Sequence, residues 1–164
     1  MAGEAELTSQ KLFTLEEARA LLPHLRDLFQ AAHAELGALH TRLEAANAAF
    51  AEAEKALGEL DTSTCADDVA GLRACRQTYQ KSIEALSAVQ REYMESFEIW
   101  VDKITQTGVQ LRDMRDGLLD FPCRRDDFYY LLCWRLSEAD IGFWHLSTDG
   151  FAGRKPLTAL VEYF

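Results

Sequence analysis

Side chains able to bind a metal ion or an anion concentrate in the last third of the sequence. Carboxylate and imidazole donors of the kind that bind Zn, Mn or Fe occur there as Asp113, Asp120, Glu138 and His145. Two cations, Arg154 and Lys155, stand in the glycine-flanked stretch GFAGRKP, a setting able to hold a phosphate or a carboxylate. The residue types therefore predict a divalent-metal site and an anion site.

The spacing of these residues weighs against a simple metal site. Glu138 falls in a predicted turn and His145 lies four residues into the next strand, which separates them by about 13 Å at strand rise. A shared ion would require the turn to fold back or a second chain to supply one ligand. The alternative is a core histidine, with Arg154 paired to an acidic neighbour such as Asp149 or Asp120.

Nucleophilic catalysis finds no support in the sequence, and we predict no catalytic residue. There is no Gly-x-Ser-x-Gly motif, and no cysteine stands beside a histidine in sequence. Cys133 could approach His145 only if the predicted strand pairing slips by one residue, which would also bury polar groups. The cysteines, which have no C-x-x-C spacing, are predicted to be free and mostly buried thiols; they are Cys65, Cys75, Cys123 and Cys133.

The elements that must position these residues begin with a long helical hairpin over residues 13–107. Thr14 and Glu17 form a capping box at its start. Pro23 predicts a kink or break near residues 21–22, before a helix from about His24 to Leu60. Polar residues 61–68 predict a connecting loop, near 61–66, with a second cap from Thr64 and Asp67.

Seven-residue spacing of apolar side chains predicts that the two helices pack as an antiparallel coiled coil. The first helix has rows from Leu22 to Leu57 and from Leu25 to Leu60, and the second has rows from Leu72 to Trp100 and from Val69 to Ile104. Arg76 and Gln90 are polar members of the last row, and Gly108 follows the second helix as a C′ glycine.

Residues 108–164 predict a small antiparallel three-stranded β-meander with a C-terminal tail. Strands are expected around 118–121, 127–136 and 141–146, with SEAD as the last turn. Pairing Leu136 with Ile141 puts Cys133 and His145 on opposite faces, and both faces are largely apolar. Because a solvated sheet normally keeps one polar face, we expect a cover: the segment before Pro23, the C-terminal residues, or a second copy of the chain.

Three sequence blocks resemble a family catalogued as domain of unknown function 2203. They are FTLEEARALLPHL, GVQLRDMRDGLLDFP and CWRLSEADIGFWHLSTDGFAGRKPL. The chain keeps Glu138, Trp144 and His145 of the family pattern, whereas Leu146 replaces a glutamate. The resemblance implies the fold type and a prokaryotic cytoplasmic setting, and it implies no activity.

The overall prediction is a single α+β domain, residues 1–164, that acts as a non-enzymatic interaction or scaffold module and forms a homodimer. A net charge of −10 disfavours a broad nucleic-acid surface, which leaves a local patch of Arg112, Arg115, Arg124 and Arg125 as the remaining route to nucleic acid. No apolar run is long enough to span a membrane, and MAGEAELTSQ does not resemble a secretory signal, so we expect the cytoplasm. Small-anion or divalent-metal binding at the β-rich end is the alternative function, and no cofactor is predicted otherwise.

Overall fold

The protein has an α+β fold in which two long helices precede a five-stranded antiparallel sheet. The computed structural model describes residues 10–62 and 68–163. Helix α1 spans Leu15–Thr62 and helix α2 spans Val69–Thr105. The strands are β1 (Gln110–Asp113), β2 (Leu118–Arg125), β3 (Phe128–Arg135), β4 (Phe143–His145) and β5 (Lys155–Pro156). The predicted class and helical hairpin are confirmed, but the sheet has five strands rather than three.

The chain divides into two compact units that cut across the helices. One unit is residues 34–98, and the other combines residues 1–33 with 99–164 and contains the whole sheet. Neither long helix, in the part of the chain that the structure describes, has an apolar stretch suited to crossing a membrane. The single-domain organisation stays a prediction.

Helix α1 begins at the predicted capping box. The Thr14 amide donates to Glu17 Oε2 over 2.9 Å, and the Glu17 amide donates to Thr14 Oγ1 over 3.1 Å. The predicted break near residues 21–22 is wrong, since α1 continues through Pro23, and the alternative of a kink there stays a prediction. Proline removes only one backbone donor, and the buried side chains of Ala18 and Leu25 hold the helix on both sides of it.

The predicted seam of α1 is confirmed, whereas that of α2 is only half right. Every seam position of α1 from Leu22 to Leu60 is buried or half-buried. In α2, the predicted seam residues Arg76 and Gln90 are exposed, and the preceding residues Cys75 and Val89 face inward. The helix is thus rotated toward a row of smaller side chains, which include the buried Ser82 and Ser96. The α2 helix ends before Gly108, whose φ of +101° fits the predicted C′ glycine.

The β3–β4 pairing differs by one residue from the predicted pairing. Leu131 lies opposite His145 and Cys133 lies opposite Phe143, whereas pairing Leu136 with Ile141 would shift both. The reason lies in the turn between β3 and β4. Its backbone carbonyls accept hydrogen bonds from a side chain of α1 rather than from the opposite strand of the hairpin. The Arg26 guanidinium donates to the carbonyls of residues 136, 138 and 139 at distances of 2.8–3.1 Å.

Both faces of the sheet are covered by other parts of the same chain. On one face, Phe13 packs edge-on against Phe121 with ring centroids 5.3 Å apart, and Arg26 lies over the Trp134 ring. On the opposite face, the segment after β4 folds back and brings Phe151 over the sheet, where its ring contacts Arg135 and Arg154. The second face carries the side chains of Asp120, Cys133 and His145.

The predicted cap by Thr64 and Asp67 lies outside the described residues.

Candidate metal centre

The observed register brings three potential metal ligands onto one face of the sheet. Asp120 of β2 lies directly opposite Cys133 of β3, and His145 of β4 lies opposite Leu131, two residues from Cys133. Alternate residues of a strand share a face, so the three side chains converge. One ligand atom from each of Asp120, Cys133 and His145 lies within 4.8 Å of the others.

All three residues are buried, although two of them are polar. Asp120 is 2% exposed, Cys133 is 1% exposed and His145 is 4% exposed. A carboxylate rarely loses its water shell unless hydrogen bonds or charges replace that water. The contacts around Asp120 therefore define the chemistry of this cluster.

His145 and Arg112 approach the Asp120 carboxylate on different oxygens. His145 Nε2 lies 2.8 Å from Asp120 Oδ1, and Arg112 Nε donates to Asp120 Oδ2 over 2.7 Å. His145 Nδ1 lies 2.8 Å from the carbonyl oxygen of Leu146, which can only accept, so Nδ1 carries a proton. The imidazole is thereby oriented with Nε2 toward the carboxylate and the thiol.

The Cys133 thiol is held in its neutral form. Burial, together with a smaller effect of the neighbouring Asp120 charge, raises the pKa of Cys133 from its ordinary 9.0 to about 12, although Arg154 acts to lower it. A thiol of that kind is a poor nucleophile at neutral pH. It becomes a thiolate when a cation takes the place of its proton.

The cluster forms the floor of an open cleft of about 350 Å³. The walls carry Arg112, Leu118 and the segment that follows β4, which contributes Ser147, Thr148, Asp149 and Phe151. A small molecule of modest size would fit this volume. We call this space the metal cleft.

Two of the predicted metal ligands lie in this cluster and two do not. Asp120 and His145 meet directly, whereas Glu138 binds Arg154 through both carboxylate oxygens at 2.7 and 2.8 Å. Asp113 accepts a hydrogen bond from the Asp116 amide at 2.8 Å in a surface turn. Metal binding by any of these residues stays a prediction.

The cations nominated for an anion site have carboxylate partners within the chain. Arg154 is bound to Glu138, and Lys155 lies 3.7 Å from Asp149. In the proposed arginine patch, Arg112 is bound to Asp120, and Arg124 lies 3.7 Å from Asp127. Anion and nucleic-acid binding at these positions stay predictions.

Cys133 is the candidate metal ligand that the sequence analysis did not predict. The assumed pairing placed it on the face opposite His145, and a shift of one residue reverses that relation. The signal that would have found it is an assignment of the 137–142 segment to a longer turn. Cys75, Cys123 and Cys133 are free thiols in the described part of the chain.

Comparison with known proteins identifies a family but no activity. A family model described as "Uncharacterized conserved protein (DUF2203)" matches residues 11–157, in agreement with the resemblance of the three sequence blocks. No curated protein and no solved structure matches the chain.

Proposed function

We propose, for a chain that belongs to the uncharacterised DUF2203 family, that Asp120, Cys133 and His145 bind one divalent metal ion of the zinc class. The observation that carries this proposal is the convergence of three different donor atoms within 4.8 Å on the buried floor of a cleft. A thiolate with an imidazole favours Zn²⁺ or a similar transition metal over Mg²⁺ or Ca²⁺, which prefer oxygen.

The separations of the donors suit a tetrahedral ion after small movements. Zinc bound at its usual distances to sulfur, nitrogen and oxygen places ligand atoms about 3.3–3.6 Å from one another. In the structure His145 Nε2 and Asp120 Oδ1 are in hydrogen-bond contact at 2.8 Å. A cation between them would replace that contact and push the two atoms apart by about half an ångström, on the same tetrahedral geometry.

Surrounding contacts already orient two of the ligands as metal sites require. The Nδ1–H of His145 donates to the Leu146 carbonyl, which leaves Nε2 as the coordinating atom. Arg112 binds the second oxygen of Asp120 and leaves the first for the ion. With three protein ligands, the fourth position faces the metal cleft, an arrangement typical of zinc sites that activate water.

The retention of a free thiol ligand fits a reducing compartment, so the proposal includes the cytoplasmic and prokaryotic setting expected from the sequence. The buried thiol also favours metal binding over cysteine catalysis. A neutral Cys133 gains its charge only when a cation displaces the proton, so the affinity for the ion should rise with pH.

Zinc titration by calorimetry, with two matched cysteine variants, tests the proposal. Cys123 and Cys133 are equally buried and each has a pKa raised to about 12, but Cys123 belongs to the opposite face of the sheet. We expect one zinc ion per chain, an affinity loss of at least about 100-fold in Cys133→Ser, and less than about threefold in Cys123→Ser. Equal losses in both variants, or no zinc binding by the wild-type protein, would overturn it.

A second candidate function is self-association or partner binding through the helical hairpin. The unit formed by residues 34–98 carries 12 acidic and 6 basic side chains and contributes none of the metal-cleft residues. Such a length of helix exceeds what a small ligand site needs. Sedimentation equilibrium tests the homodimer: twice the chain mass of 18.5 kDa is expected, and a strict monomer at all concentrations would contradict it.

A further inference from the structure

A second, more apolar cleft adjoins the metal cleft. It has a volume of about 470 Å³ and is lined by Leu12, Pro122, Tyr129, Tyr130 and Leu131. Arg112 and Ser147 line both clefts, so the two spaces meet at these residues. We call the second space the apolar cleft.

The floors of the two clefts lie on the same sheet face and share one row of paired residues. Pro122 pairs with Leu131, which pairs with His145. The next row along the strands pairs Asp120 with Cys133. Successive residues on one face of a strand are about 7 Å apart. A small chemical group can therefore span the distance between the proposed metal position and the start of the apolar floor.

Arg112 supplies a cation at the junction of the two clefts. Its Nε binds Asp120, and one of its terminal nitrogens donates to Gln110 Oε1 over 2.6 Å. Its side chain is 48% exposed, and within the described part of the chain its other terminal nitrogen meets no hydrogen-bond acceptor. A guanidinium beside an open metal position offers two anchor points that match the two oxygens of a planar carboxylate.

We infer that the metal cleft takes a small organic carboxylate with an apolar tail, and that the tail lies in the apolar cleft. The carboxylate contacts Arg112 and the fourth position of the ion, and a tail the size of an aromatic ring or a short acyl chain lies on Pro122 and Leu131. A phosphate of the same shape is less suited, because Asp149 lines the metal cleft and opposes a second negative charge. This inference rests on the proposed metal function.

The test uses the whole 164-residue chain loaded with Co²⁺, whose visible spectrum reports on the coordination of the ion. Acetate, 3-phenylpropanoate and 2-phenylethyl phosphate are titrated separately. The apolar area buried by the tail should make 3-phenylpropanoate bind at least about tenfold tighter than acetate. It should also bind tighter than the phosphate.

Two exposed apolar residues provide the matched variants. Leu12 lines the apolar cleft and is 38% exposed, whereas Met94 is 55% exposed and lies in the unit of residues 34–98. Leu12→Asn should reduce the preference for 3-phenylpropanoate by about threefold or more, since it removes apolar contact area. Met94→Asn should leave the preference unchanged.

The outcomes separate this inference from the proposed function. Absence of a cobalt spectrum would remove both. A normal cobalt spectrum with equal affinities for acetate and 3-phenylpropanoate, or with tighter phosphate binding, would overturn the carboxylate inference and leave the metal site standing. A preference that Leu12→Asn does not alter would overturn the placement of the tail. A preference that varies with protein concentration would assign the apolar cleft to a second copy of the chain.

Discussion

Replacing Asp120 with alanine removes the buried carboxylate on which His145 and Arg112 converge. The contact with His145 is fully buried, with side-chain exposures of 5% and 2%, whereas the Arg112 side chain is 48% exposed. Removing one partner of a buried pair costs about 3–5 kcal/mol. The partly solvated Arg112 contact adds less than about 1 kcal/mol. We expect Asp120→Ala to lower the free energy of unfolding of the metal-free protein by about 3–6 kcal/mol.

Asparagine at the same position should recover much of this loss. Its amide oxygen can accept from Arg112 while its amide nitrogen donates to a neutral His145, so every buried polar atom keeps a partner. The expected cost of Asp120→Asn is about 1 kcal/mol. Asp113→Ala is the control, because Asp113 is an exposed carboxylate that accepts a hydrogen bond from the Asp116 amide at 2.8 Å, and its loss should cost about 1 kcal/mol or less.

Urea unfolding in the presence of a chelator measures these differences in stability. The fluorescence of the buried Trp134 and Trp144 reports the unfolding. Chelation matters because a bound ion would add its own stabilisation. A loss of 3 kcal/mol corresponds to a fall in Tm of roughly 6–12 °C for a chain of this size. The reasoning is refuted if Asp120→Ala lies within about 1 kcal/mol of wild type, or if asparagine is no better than alanine.

Three further predictions concern the fold around the site. Thr14→Ala should cost about 1 kcal/mol in urea unfolding, because it removes the capping hydroxyl of α1; an unchanged midpoint would contradict this. Gly117→Ala should cost about 2 kcal/mol, because φ is +63° and the new Cβ would lie 2.6 Å from a neighbouring side chain; Gly142→Ala, which meets open space, should be nearly neutral. Since burial raises the pKa of Cys123 and Cys133 from 9.0 to about 12, the folded state favours the neutral thiols, and that stabilisation is lost as pH rises from 9 toward 12. The alkaline fall should shrink when both cysteines are replaced by serine, and an identical fall in that variant would contradict the assignment.

Local signals in the sequence were sufficient for the start and the seam of the first helix, but not for its continuation through Pro23. The capping box of Thr14 and Glu17 involves atoms three residues apart, and the seam of α1 follows one strict period. The seam of α2 was less predictable. Its inward row includes Ser82 and Ser96 rather than large apolar residues, and helix packing selects small side chains where neighbours approach closely.

The register of the sheet could not be derived from the hairpin alone. Its turn is fixed by Arg26, whose hydrogen bonds to it span 110–113 residues of sequence. No periodicity or turn rule contains that contact. The observed β3–β4 pairing differs by one residue from the predicted pairing, and this difference places Cys133 on the same face of the sheet as His145.

The residue types of the candidate site were partly predictable and their grouping was not. Asp120 and His145 were nominated by chemistry alone and meet in the structure. Glu138 and Arg154 were nominated with the same reasoning and bind each other instead. The two β-strands missing from the prediction, β1 and β5, have four and two residues, which is too short for an alternating pattern to be recognised.

The absorption spectrum of the protein during titration with Co²⁺ tests the central claim most directly. A cobalt ion held by Cys133 gives a near-ultraviolet thiolate-to-metal band together with the visible spectrum of a tetrahedral site. We predict that both signals saturate at one equivalent in the wild-type protein and in Cys123→Ser, and that the near-ultraviolet band is lost in Cys133→Ser. The absence of that band from the wild-type protein, or its persistence without Cys133, would contradict the account.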